Sequence, residues 1–189
     1  LFTVLFISSS VSRCQVYKYI GLENGLSNQK IYYIQKDRRG YMWFLTQEGV
    51  DRYDGKYIKH YNFSDDSIKL DSRIALNWLY MDSGNILWVI GQKGRIFRYD
   101  SQHDKFKLAY IHPELIRNKP QAFLNYGYLD KNDRIWLCYK DSITWYDIRT
   151  GTTLHMPTPV NGEITAIEQT DSNHFFIGTG NGLFHAGIE

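Results

Sequence analysis

A phrase made of an acidic turn, an aromatic residue and a Gly-bearing hairpin recurs four times along this 189-residue chain. The first copy runs from Asp37 through Gly40, Trp43, Thr46 and Gly49 to Tyr53 and Asp54. The second runs from Asp82 through Gly84, Trp88, Gly91 and Gly94 to Tyr99 and Asp100. The third runs from Asp130 and Asp133 through Trp136 to Tyr146 and Asp147, and the fourth from Asp171 through Phe176, Gly178 and Thr179 to Gly182 and Phe184. The anchor aromatics Trp43, Trp88, Trp136 and Phe176 are therefore 45, 48 and 40 residues apart. A period of about 40–45 residues built of strands and turns marks the blades of a β-propeller. The expected fold is all-β, with about four blades' worth of four-stranded antiparallel sheets forming a partial or small propeller.

The first copy shows the grammar. Residues 31–34 form a β-rich run, and Asp37 to Gly40 make a turn whose left-handed position falls on Gly. Residues 41–46 alternate as a second strand, Gln47 to Gly49 reverse the chain, and residues 50–53 form a third strand. Asp54-Gly55 is a hairpin dipeptide, and residues 56–61 alternate as a fourth. Approximate blades are expected at residues 29–63, 73–108, 122–156 and 163–189. Trp43, Trp88, Trp136 and Phe176 are read as wedges between blades. Gly49, Gly94 and Gly182 serve the hairpins, and Tyr53, Tyr99 and Tyr146 close the repeats. The second copy has one extra residue between Gly94 and Tyr99, read as a bulge. The third places Ser142 at the hairpin Gly position. The fourth ends before a fourth strand, and residues 15–20, which alternate, are the candidate to supply it; whether four blades close into a ring stays open.

Two longer connections interrupt the pattern: a polar loop at residues 65–72, and a segment at 113–118 able to form one helical turn. Aromatic residues make up 16% of the chain, which suits half-buried pleated surfaces. The net charge is +2 with the basic residues scattered, so the basic stripe of a nucleic-acid binder is lacking and no nucleic-acid partner is expected.

The start of the chain is apolar to Ile7 and then small through Ser12, which reads as the back of a secretory signal, with residues 1–14 as its remnant and 15–189 as the propeller. An ordinary apolar N-terminal strand is the other reading. The run is too short to span a bilayer, so no membrane span is expected in this chain. Arg13 stands where lipidation of Cys14 would need a small residue. Cys138, on the face of Trp136, is read as a small buried hydrophobe.

The residues Gly25, Leu26, Ser27 and Asn28, followed by Asp37, Gly40, Trp43, Thr46, Gly49, Tyr53, Asp54 and Gly55, resemble the two-component regulator propeller repeat. The run from Phe176 to Leu183 is very close to that repeat's core, and the resemblance extends from about Val16 to Phe184. It implies the periplasmic propeller of a hybrid two-component sensor kinase, exported through a signal peptide, with an oligosaccharide as the usual cue. Such sensors carry many more blades, then an immunoglobulin-like domain, a membrane span, a kinase and a regulator. None follows here, so the chain is expected to be the leading fragment of a sensor or a truncated relative. The repeat motif carries no ligand residues that transfer by position.

No catalytic constellation stands out. Gly178 to Gly182 lacks the Lys-Ser/Thr of a phosphate loop and reads as a strand hairpin. Asp37, Asp82, Asp130 and Asp133 do not have calcium-loop spacing and are read as turn caps. The six His show no metal-ligand spacing, and no Ser sits in a nucleophile elbow. Tyr32, Tyr33, Tyr126, Tyr128 and Trp145 are candidate sugar platforms. No cofactor, metal or catalytic residue is assigned, the ligand contacts are unassigned, and with no kinase motif the chain is not expected to be an enzyme. The leading expectation is a ligand-sensing module with an oligosaccharide ligand, partnered by the rest of a sensor kinase and able to form a homodimer. An exported lyase or hydrolase acting on polysaccharide, and a structural propeller for protein contacts, are the alternatives.

Overall fold

The computed structural model describes residues 17–63, 75–113, 123–158 and 160–188. The signal segment at 1–14, the loop at 65–72 and all of the 113–118 segment beyond Pro113 lie outside the described residues. Among the described residues fifteen strands form four antiparallel sheets. Blade 1 comprises β1 (Ile31–Lys36), β2 (Met42–Thr46), β3 (Gly49–Tyr53) and β4 (Ile58–Tyr61). Blade 2 comprises β5 (Leu76–Met81), β6 (Leu87–Gly91), β7 (Ile96–Asp100) and β8 (Lys105–Tyr110). Blade 3 comprises β9 (Tyr126–Leu129), β10 (Arg134–Cys138), β11 (Ser142–Asp147) and β12 (Thr153–Pro157). Blade 4 has three strands: β13 (Ile164–Gln169), β14 (His174–Thr179) and β15 (Gly182–Gly187). Within each sheet every strand pairs with its neighbour in sequence, as propeller blades do.

The blades stack in chain order. Trp43, Leu45 and Val50 of blade 1 pack on Leu79, Leu87 and Val89 of blade 2. Trp88 and Ile90 of blade 2 pack with Ile135 and Leu137 of blade 3. Trp136 and Ile143 of blade 3 pack with Ile167, Phe175 and Ile177 of blade 4. Alternation explains the pattern: successive residues of a strand serve opposite faces, so each sheet meets both neighbours. Trp43, Trp88 and Trp136 are 1%, 2% and 3% exposed. A ring of that size buries roughly 150–250 Å², which contributes about 4–6 kcal/mol gross at about 25 cal/mol/Å².

Both ends of the stack keep an open face. Tyr32 and Ile34 on β1 are exposed, as are Phe176 on β14 and Leu183 on β15. On the blade 1 side the segment before β1 covers part of that face. A short 3-10 turn, Leu22–Asn24, leads into the buried Leu26, and Gly25 lies against Ile58 of β4.

Three sequence expectations need correction. Tyr17 to Ile20 form no strand and do not complete blade 4. They lie by blade 1, where Lys18 Nζ donates to Tyr53 Oη at 3.3 Å and Gln29 donates to Tyr19 Oη at 3.3 Å. The cause is the tether behind them: Ser27 is bonded to Asp51 on β3, which holds this segment on blade 1.

The fourth acidic turn is also displaced by one position. Asp37, Asp82 and Asp130 each donate their backbone N–H to the carbonyl four residues on, at 3.0 Å. Thr170, not Asp171, makes the matching bond to His174. Phe176 then occupies the Trp register, opposite Glu168 as Trp43 is opposite Gln35. It is 41% exposed and no buried wedge, because no described blade packs over it; Phe175 is the buried ring, 4.6 Å from Trp136.

Third, the extra residue of blade 2 is absorbed in the hairpin. The Gly91 N–H donates to the Arg95 carbonyl, and Ile90 pairs with Ile96 beyond it. A register shift falls between Ile96 and Phe97 where β7 meets β8.

Candidate functional site

Each full blade carries a clamp made from its acidic turn and its Trp. Asp37 accepts the Trp43 indole N–H at 3.0 Å, Asp82 that of Trp88 at 2.8 Å, and Asp130 that of Trp136 at 2.9 Å. The second carboxylate oxygen holds the turn, accepting Tyr41 N at 3.0 Å, Ile86 N at 2.7 Å and Arg134 N at 2.9 Å. One carboxylate thus fixes both the loop and the wedge. Asp133 serves a different purpose. Its side chain takes the Ser83 backbone N–H at 3.1 Å and the Ser83 hydroxyl, bridging the turns of blades 2 and 3.

Between blades 1 and 2 lies a polar latch. Arg52 of β3 donates to Asp104 at 2.9 Å and to Tyr99 Oη at 2.8 Å, with its guanidinium over the Tyr41, Trp43 and Tyr61 rings. Tyr61 and Tyr99 each donate to the same Asp104 oxygen at 2.6 Å, and Lys59 pairs with the other oxygen at 2.5 Å. Burial alone would raise the Asp104 carboxyl; the bonds from Lys59, Tyr61 and Tyr99 and the Arg52 charge outweigh it and hold the group well below its usual range. Burial, then bonding to Asp104, pushes the Tyr61 and Tyr99 phenols up.

A second polar knot fixes the segment before β1. Asp51, fully buried, accepts the Ser27 backbone N–H at 2.7 Å and the Ser27 hydroxyl at 2.8 Å, and its other oxygen meets His60 Nδ1 at 2.7 Å. Ser, Asp and His meet here in the wrong order for acyl transfer. The serine hydroxyl faces the carboxylate and not the imidazole, so the Ser–His contact of a triad is missing. The knot is structural.

A groove beside a clamp lies between blades 2 and 3. It has a volume of about 520 Å³ and is lined by Trp88, Arg98, Asp100, Lys107, Tyr146 and neighbouring residues. The equivalent space between blades 1 and 2, beside Trp43 and Tyr99, is about 200 Å³. The Asp100 carboxyl is held low, first by Lys107 and then, against its desolvation, by His103.

The candidate sugar platforms do not converge. Tyr32 lies on the open face of blade 1, with Lys30 over its ring. Tyr33 packs against Tyr80, Tyr126 against Trp78, and Trp145 against Trp136. Tyr128 Oη accepts Gln169 N at 3.2 Å. Gly178 to Gly182 is the β14–β15 hairpin, with Thr179 paired to Gly182. Among the described residues no group of three or more His, Cys, Asp and Glu could hold a metal ion. No described helix is long and apolar enough to cross a membrane. Cys138 is buried, which pushes its thiol up to about 12. Sequence reasoning missed Arg52, Arg98, Asp104, Tyr61 and Tyr110; the signal for them is the register of the β3–β4 and β7–β8 pairs.

A family model described as two component regulator propeller matches residues 25–48. Among solved structures, the extracellular domain of a putative hybrid two component system from B. thetaiotaomicron superposes with a TM-score of 0.69 at 24% identity, covering 90% of this chain and 25% of that one. PorZ, a surface component of the type-IX secretion system of Porphyromonas gingivalis, gives 0.60 at 15% identity over 84% of this chain and 24% of its own. A catalytically inactive virginiamycin B lyase from Staphylococcus aureus, solved with Quinupristin, gives 0.58 at 17% identity over 86% of this chain and 58% of that chain. No curated protein sequence matches. These likenesses establish the β-propeller fold, and the chain spans a quarter of the length of the first of them.

Proposed function

From a chain that carries a two-component regulator propeller repeat, we propose that these blades are part of the extracellular sensing propeller of a hybrid two-component sensor. In this reading the chain is exported to the periplasm, binds an oligosaccharide, and passes the change to a kinase in the rest of the sensor. The observation that carries it is the family match at residues 25–48, repeated in kind by the Asp82–Trp88 and Asp130–Trp136 clamps. The open faces at Ile34 and Phe176 support it further, since an uncovered apolar blade face is where another blade packs. A homodimer through the same faces is the other way to cover them.

Signal relay needs a ligand that binds one blade arrangement better than another. The interblade grooves suit that role, because their walls belong to two sheets that can shift against each other. The test is calorimetric titration of the chain with a panel of oligosaccharides, followed by mass analysis of the recovered sugars. Saturable binding of a recovered, intact sugar supports sensing. Cleavage would establish the lyase or hydrolase reading, and absence of binding across the panel would leave a structural propeller.

A further inference from the structure

The hairpins β7–β8 and β11–β12 have the same length and register: Tyr99 pairs with Phe106, and Tyr146 with Thr153. Asp104 of the first hairpin is therefore equivalent to Gly151 of the second. Both have the left-handed backbone, with φ of 49° and 74°. The same alignment equates the groups around them. Arg52 lies opposite Trp43 and Arg98 opposite Trp88; Lys59 pairs with Arg52 and Lys107 with Arg98. Tyr61 matches Tyr110, and Tyr99 matches Tyr146.

Between blades 1 and 2 this set of one arginine, one lysine and two tyrosines receives the Asp104 carboxylate. Between blades 2 and 3 the set recurs without the acid. The consequences are visible at each group. Arg98 is exposed, with no acid paired to it among the described residues. Tyr110 Oη is buried without a hydrogen-bond partner. Lys107 turns to Asp100 of its own blade. A Cβ on Gly151 would meet nothing within 4 Å. A buried hydroxyl left unpaired is costly, and this one marks the loss of the acid that its counterpart Tyr61 bonds between blades 1 and 2.

We infer that the groove between blades 2 and 3 binds a small-molecule carboxylate, whose oxygens take the place that the Asp104 carboxylate fills between blades 1 and 2. Arg98, which lines the groove, offers a planar fork suited to a carboxylate. Trp88 and Tyr146, with ring centroids 6.1 Å apart, wall the site. The groove of about 520 Å³ leaves room for an organic body behind the carboxylate. Asp100, also in the lining, disfavours a polyanion, so the ligand carries a single acid group. The inference stands on the comparison between hairpins and holds whether or not the chain belongs to a sensor.

The experiment titrates the whole chain with acetate, D-glucuronate and D-glucose, and repeats the series on Arg98→Ala, Gly151→Asp and Gly151→Asn. Both carboxylates are expected to bind saturably and glucose not to. Loss of the guanidinium should weaken binding about tenfold or more, and Gly151→Asp should abolish it by supplying an internal acid. A readout without ligand accompanies this: Gly151→Asp should melt higher than Gly151→Asn, and the difference should vanish in an Arg98→Ala background. If Gly151→Asp does not fold, the Arg98→Ala titration decides. No saturable binding of either carboxylate, equal binding of glucose, or affinity unchanged in Arg98→Ala would overturn the inference.

Discussion

Asp82 accepts the Trp88 indole N–H at 2.8 Å through one oxygen and the Ile86 backbone N–H at 2.7 Å through the other. The turn and the wedge of the blade are thus one unit, six residues apart in sequence. Its recurrence at Asp37–Trp43 and Asp130–Trp136 accounts for the repeat more directly than the aromatic spacing does.

Removing the ring should cost more than removing the acid. Trp88→Ala is expected to lose about 3–5 kcal/mol of stability. Asp82→Ala should lose about 1–3 kcal/mol, because it leaves buried donors unpaired. The double variant should lose less than the sum, since both single changes break the same bond. Denaturant melts of the four proteins measure this coupling.

Exposure separates the fourth aromatic from the other three. Phe176→Ala should cost less than about 1 kcal/mol, whereas Trp136→Ala should cost about 3–5 kcal/mol, because only the buried ring leaves a cavity. Equal losses on thermal melting would mean that Phe176 is covered in solution.

The latch between blades 1 and 2 should fail in acid. The Asp104 carboxyl is held below its usual 3.8 when folded. Its contribution is therefore present above that unfolded value and is lost as pH falls toward the depressed folded one. The melting-temperature gap between wild type and Asp104→Asn should be constant above about pH 5 and shrink below about pH 4. A gap independent of pH would show that the carboxylate charge has no part in the latch.

Two glycines should behave oppositely. Gly94 has φ 75°, and a Cβ there would collide with the Tyr139 hydroxyl of blade 3. Gly94→Ala should lose at least about 1 kcal/mol through backbone strain and the clash. Gly180→Ala meets nothing within 4 Å and should stay within about 0.5 kcal/mol of wild type on denaturant titration.

Much of the frame is legible in the chain because the repeat imposes its own phase. Once Trp43, Trp88 and Trp136 are aligned, the strands on either side follow from alternation and turn chemistry. The clamp is less visible: Asp37 and Trp43 look like separate signals until a turn folds one back over the other. Residues 15–20 alternate like an outer strand, but alternation does not say which sheet a strand joins. Here the Ser27–Asp51 bond holds the segment by blade 1. In the fourth copy the acid shifts to Asp171 and Thr170 takes its place, so matching by residue type slips one position. The groove at Arg98 depends on an absence, Gly151 where Asp104 would stand, which shows only when hairpins are aligned by register.

Indole hydrogen exchange followed by NMR tests the clamp most directly. The Trp43, Trp88 and Trp136 N–H groups should exchange slowly, and Asp37→Ala, Asp82→Ala and Asp130→Ala should each speed up only the indole of its own blade. Indoles that exchange as fast as free tryptophan, or that all lose protection together when one acid is removed, would contradict the account.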